Sequence, residues 1–149
     1  MVATLVLSGE RGRRLAIEVR GYERDVARDP SDANWLDCSV DLVLGRFQGS
    51  AEASFATEDF ACFFAELEAV MRGSGRAAVF ETMEEGLSVR VELSRGGRVT
   101  VAGQLREVEV DGSVLSYSFE SDRSSIEEFQ VMLGRVVSEF PARVGARQP

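Results

Sequence analysis

The hydrophobic period changes twice along this chain, each time after four short segments and each time from two to about 3.6. Residues 3–8, 13–22, 35–45 and 48–56 alternate apolar with polar side chains, which is what half-buried antiparallel strands write. In 13–22, Leu15, Ile17 and Val19 oppose Arg14, Glu18 and Arg20; in 48–56, Ala51, Ala53 and Phe55 oppose Ser50, Glu52 and Ser54. From 57 to 72 the recurrence becomes three and four, and Phe60, Phe63, Phe64, Leu67, Val70 and Met71 fall on one helical stripe. Strand spacing returns at 76–82, 86–95, 97–108 and 113–120. A second helix follows at about 125–140 with Ile126, Phe129, Leu133, Val136, Val137 and Phe140 as its buried stripe. Four strands and a helix, twice, without strict βαβ alternation, predict an α+β fold with a mainly antiparallel sheet of about eight strands and two helices, order ββββα-ββββα. The pattern leaves open whether these strands form one curled sheet or two stacked ones. The helix starts TEDFACFFAEL and SIEEFQVMLGRV share an acidic pair and a Phe; a two-fold repeat explains this, and so do common capping rules.

Local signals set the expected boundaries. Thr57 is suited to accept from the open amides of a first turn, and Glu58 and Asp59 suit its positive end. Gly73 is a natural stop. Ser125 with Glu128 has capping-box spacing, and Pro141 helps to end the second helix. A tight turn is expected near Gly45–Gly49, and further turns at RGG (95–97) and DG (111–112). The tail ARVGARQP has nothing to bury, so a single domain is expected over 1–141 and fraying over 142–149.

The 149 residues suffice for one core, and what they lack narrows the chemistry. There is no His and no Lys; all seventeen basic side chains are Arg. That removes an imidazole base or zinc ligand, a Schiff-base lysine and the lysine of a phosphate loop. A net charge of −8 argues against nonspecific binding to nucleic acid or to an anionic membrane and suits a basic protein partner. In MVATLVLSGERGRR the apolar run precedes the positive cluster, the reverse of a signal peptide, and is too short to span a bilayer. A cytoplasmic protein with Cys38 and Cys62 as reduced thiols is expected.

No segment carries recognisable catalytic chemistry, so neither catalytic residue, cofactor nor metal is assigned. Glu84–Glu85, Glu127–Glu128 and the set Glu107, Glu109, Asp111 are the densest carboxylates, and solvated faces account for them. RGSGR (72–76) and SRGGR (94–98) place Arg around Gly, but neither follows a strand and opens a helix as a nucleotide loop does. Tyr22 and Tyr117 are expected to pack. Cys62 shares an outer helical side with Ala61, Ala65 and Ala69, and lacks an activating base. Charge is less evenly spread: between Asp37 and Met71 lie seven acids and one base, Arg46. Asp37, Asp41, Glu52, Glu58, Asp59 and Glu66 are therefore the candidate partner-binding residues.

Several short motifs together resemble one family. They are Tyr22, DANWL (32–36), F-Q-G (47–49), TEDF opening a helix, FE (80–81), EEGLSVRVEL (84–93), a strand ending VAG, and a closing helix ending FP. The pattern is similar to the WapI-type bacterial immunity proteins, from about residue 20 to 141. It departs from them before the last helix: where they carry D-Q-(S/T)-Y-L, this chain has DRSSI (122–126). The resemblance implies a non-enzymatic cytosolic protein that binds and neutralises a cognate toxin domain, often a nuclease. It also bears on Trp35, the only Trp, which strict alternation puts on the polar face with Asp37, Ser39 and Asp41. As part of the shared motif, Trp35 is expected to cap the sheet end beneath the 23–34 loop with its indole N–H bonded to backbone; an exposed binding anchor is the other reading. Alternatives to the immunity role are a small-ligand-binding or enzymatic domain using carboxylates in a sheet cleft, and a homo-oligomer built on strand edges or the Ala61/Ala65/Ala69 face.

Overall fold

Eight strands and two helices succeed one another in the expected order in the computed structural model, which describes residues 2–24, 33–82, 86–107 and 112–143. The strands are β1 (Ala3–Ser8), β2 (Arg14–Tyr22), β3 (Trp35–Leu44), β4 (Phe47–Ala56), β5 (Ala77–Glu81), β6 (Leu87–Leu93), β7 (Val99–Arg106) and β8 (Val114–Ser121). The helices are α1 (Thr57–Met71) after β4 and α2 (Arg123–Glu139) after β8. The strands form two sheets rather than one, each four-stranded, antiparallel and in sequence order. A 3₁₀ turn at Glu10–Gly12, which the hydrophobic pattern does not announce, joins β1 to β2. The hairpin that joins β3 to β4 is tighter than expected: Gly45, at φ 75°, makes the turn with Arg46, and Gly49 lies inside β4 opposite Leu42.

Both helix starts differ from the expected caps. Ala56 is the N-cap of α1, its N–H donating to Asp59 Oδ2 at 3.0 Å, so Thr57 is already the first helical residue. For α2 the cap is Asp122, which accepts from the Ser125 N–H at 2.7 Å, so Ser125 sits in the first turn. A short carboxylate one residue before a helix competes well for the third amide. Gly73, at φ 83°, ends α1 as expected, with its N–H on Val70 O and the Ser74 N–H on Ala69 O.

Each helix lies on the opening strand of the other half, α1 on β5 and α2 on β1, and the helices contact each other. The apolar faces of both sheets and both helices thus form one continuous core. Phe80 of β5 is its hub, with ring centroids 5.1, 5.3 and 5.5 Å from Phe55, Phe60 and Phe63. The helical stripes bury Phe60, Phe63, Leu67 and Val70 on α1 and Ile126, Phe129, Leu133 and Val136 on α2. In the second sheet Gly103 lets strands approach: a Cβ there would lie 1.8 Å from Ser88 O, which accepts the Tyr117 hydroxyl at 2.8 Å.

A β-bulge shapes the polar face of the first sheet. Val19 pairs with Cys38 and Gly21 with Asp37, leaving Arg20 as the extra residue. The change of phase brings Tyr22 opposite Leu36, where it packs on the core. Bulges redirect side chains in this way.

Candidate functional site

The candidate acids do not form one uniform patch. Asp37, Asp41 and Glu52 lie on the outer face of the first sheet, Glu58 and Asp59 in the first turn of α1, and Glu66 farther along α1. On the sheet, Arg20 reaches across from β2. Its Nε and Nη2 donate to the two oxygens of Asp37 at 3.0 Å each, and Nη2 also donates to Glu52 and to Cys38 O. Glu18 stands 3.7 Å away. The guanidinium holds the Asp37 carboxyl below the ordinary carboxylate value, and the two carboxylates raise Arg20's own pKa. Arg20 is therefore the charged side chain of this face that the count between Asp37 and Met71 misses, because it arrives by strand pairing. Its position on the polar face of 13–22 was the available signal. Asp41 accepts from the Ser50 hydroxyl at 2.6 Å, and the Ser54 hydroxyl bonds Glu23.

Glu66 has a different employment. Its Oε1 accepts the Val79 N–H at 3.1 Å, covering a backbone donor on the β5 edge of the second sheet. An unpaired edge donor invites pairing with another chain, and a carboxylate placed there blocks it.

At the start of α1 the surface opens into a groove of about 860 Å³. Its apolar walls are Trp35, Ala61, Val137 and Phe140, and Glu58 and Asp59 stand beside them. Trp35 is half-buried here, and among the described residues no hydrogen bond reaches its indole N–H, contrary to the expected backbone contact. Trp35 is the first residue of β3, at the end of the sheet where α1 begins. Most of the 23–34 loop expected over it, residues 25–32, lies outside the described residues. Thr57 also lines the groove; the residue is 5% exposed, and its covered hydroxyl has no hydrogen-bond partner among the described residues. Partial burial raises the Asp59 carboxyl above its usual value, against the lowering effect of the Ala56 N–H.

The far end of the chain closes against this region. Arg143 lies over the Tyr22 ring at 3.5 Å and donates to the carbonyls of Ala33 and Arg24, and its N–H bonds Asn34 Oδ1 at 2.6 Å. The Tyr22 hydroxyl donates to Pro141 O at 2.6 Å. Arg143, within the stretch expected to fray, is thus held by its guanidinium; residues 144–149 lie outside the described ones.

Other singled-out features resolve locally. Ser94 and Arg98 close the RGG turn with Gly97 at φ 78°. The two Arg-Gly loops meet: Arg76 and Arg95 share a cleft of about 530 Å³ with Arg90, whose Nε is bonded to Glu92 at 2.6 Å. Among the described residues no three Cys, Asp or Glu side chains are grouped to hold a metal. Glu84, Glu85, Glu109 and Asp111 lie outside them. Cys38 is buried, and desolvation pushes its thiol up to about 12, whereas Cys62 is exposed. No helix among the described residues is long and apolar enough to cross a membrane.

Comparison with known proteins gives a fold likeness and a family. No curated protein matches the chain. A solved structure described as "Crystal structures of trypanosoma bruciei MRP1/MRP2" superposes with a TM-score of 0.50 at 12% identity. It covers 93% of this chain and 84% of that one. At that identity the likeness is one of fold alone. The model of the immunity protein WapI-like family matches residues 6–141, nearly the whole described structure, and the chain belongs to that family.

Proposed function

We propose that this protein is a non-enzymatic immunity protein that binds a cognate toxin domain in the cytoplasm and neutralises it through an acidic surface. The observation that carries this is the family match over residues 6–141. The charge balance supports it: a net −8 favours a basic partner. So does the placement of Asp37, Asp41 and Glu52 on one sheet face, where Trp35 stands at the end of the same alternation and leads to Glu58 and Asp59. Arg20 gives that face a fixed geometry, because its guanidinium holds Asp37 and Glu52 in place ahead of any partner. A preset carboxylate array loses less side-chain entropy on binding than a mobile one.

The test is binding of the full chain to the toxin domain encoded beside it, together with protection of cells that express that domain. Complex formation that weakens as salt rises from about 0.1 to about 1 M, where the screening length falls from about 10 to about 3 Å, is the expected result. Reversal of charge at Asp41 or Glu52 slows association. Absence of both binding and protection removes the immunity reading; binding indifferent to salt and to these reversals removes the acidic surface from it.

A further inference from the structure

We infer that the seat of Arg143 is a binding site for an arginine on an extended protein segment, filled in the free protein by the chain's own end, and that an arginine of the toxin domain displaces that end on binding. The inference rests on the immunity reading above and names one contact through which the partner engages.

The seat reads a guanidinium and the peptide unit that carries it. The Arg143 guanidinium lies 3.5 Å from the centre of the Tyr22 ring. Its Nε and Nη2 donate to Ala33 O at 3.1 and 2.6 Å, and Nη2 also donates to Arg24 O at 2.7 Å. A fork of donors on fixed carbonyls beside a ring face selects arginine over lysine, whose ammonium is a single point of charge. The backbone is read separately. Asn34 Oδ1 accepts the Arg143 N–H at 2.6 Å, and Asn34 Nδ2 donates to Arg143 O at 3.2 Å. A side-chain amide that meets both backbone groups of one residue holds any extended segment in this way, because neither bond depends on that residue's covalent neighbours.

Three observations mark the chain end as an exchangeable occupant. Tyr22, Arg24, Ala33 and Asn34 lie inside the stretch that matches the family, residues 6–141, and Arg143 lies beyond it. The seat thus belongs to the matched domain and its present occupant does not. Residues 141–143 belong to no helix or strand, and Pro141 and Ala142 are exposed. Their departure costs the Tyr22 hydroxyl its bond to Pro141 O, and it leaves both sheets and α2 whole. Chain ends tied in this way open at low free-energy cost. Finally, Asn34, Pro141 and Ala142 border the open groove beside Trp35, so an incoming segment reaches the seat from solvent. A partner that complements a net charge of −8 brings arginines to it. The tethered end competes at an effective concentration on the order of millimolar, and it thereby screens out segments that lack the fork.

The experiment has two arms, both on the full-length chain. In the first, the synthetic peptide FPARVG, residues 140–145, is titrated by calorimetry into the parent, into Arg143→Ala, which vacates the seat, and into Arg143→Ala with Asn34→Ala. Should Arg143→Ala not fold, Arg143→Lys, which keeps the charge and loses the fork, takes its place. The vacated protein is expected to bind the peptide at least tenfold more tightly than the parent or the double variant, and to discriminate at least tenfold against the same peptide with Lys for Arg. Equal affinities across the three proteins, or for the two peptides, overturn the seat. In the second arm, the toxin domain encoded beside this chain is bound to the parent and to the vacated variant. Tighter binding to the vacated variant, weakened by excess FPARVG, is expected. Toxin binding indifferent to both changes overturns the proposal and leaves the immunity function standing. Failure of every variant to bind the toxin domain overturns the immunity reading, and the peptide arm then judges the seat by itself.

Discussion

Replacing Phe80 by Ala tests whether the two four-stranded halves share one folding unit. The ring is 1% exposed and touches Phe55 of β4 and Phe60 and Phe63 of α1, so it joins the second sheet to elements of the first half. Removing it forfeits about 3 kcal/mol of transfer free energy. The cavity left behind adds about 1–2 kcal/mol, because flanking strands and helix relax only in part. The expected loss is therefore about 4–5 kcal/mol, and at a urea slope of about 2 kcal/mol per molar the midpoint falls by roughly 2 M. Trp35 makes the assay specific, since it reports on β3, in the half that does not contain Phe80. Urea unfolding followed by Trp35 fluorescence and by far-UV circular dichroism should shift together, as a single cooperative core demands. A Trp35 midpoint that stays at the parent value while the dichroism midpoint falls would show two independent halves and refute the argument. A loss under 2 kcal/mol would show that the aromatic cluster repacks.

Gly103→Ala places a methyl group 1.8 Å from Ser88 O and 2.8 Å from the Tyr117 hydroxyl. It should cost about 2–4 kcal/mol in thermal or urea unfolding through overpacking and the lost Tyr117–Ser88 bond, whereas Tyr117→Phe loses only about 1 kcal/mol. Acid stability has a defined sign. The folded-state pKa values of Asp37 and Asp122 lie below the ordinary value, held down by Arg20 and by the Ser125 amide respectively. Their contribution is fully present above the unfolded carboxylate pKa, near 3.9, and is lost as pH falls through the folded values. Asp59 is raised by burial and acts in the opposite sense, losing stability as pH rises from the ordinary value through its own. Unfolding titrations between about pH 2 and 6 should show a shallower acid decline for Asp37→Asn and Asp122→Asn than for the parent; parallel curves would contradict the assigned partners.

The order ββββα-ββββα, the antiparallel pairing and both helical stripes were legible along the chain, because hydrophobic period depends only on which faces are buried. The family was legible too, through motifs such as DANWL and TEDF that recur whatever the third dimension does. Boundaries were less so: Thr57 and Ser125 carry plausible cap chemistry, yet Ala56 with Asp59 and Asp122 do the capping, since the cap depends on backbone angles one residue away. The acidic stretch illustrates the larger gap. Counted in sequence it holds seven acids and one Arg. Folded, it is divided into a sheet face organised by Arg20, a groove beside Trp35, and a carboxylate on the β5 edge. Arg20 lies seventeen residues from Asp37 and thirty-two from Glu52, and a single bulge in β2 decides its place. Sequence alone determined which side chains seek the core and which seek water. Only tertiary structure decided which charges meet, because Coulomb energies and hydrogen bonds act over a few ångströms of space and are indifferent to separation along the chain.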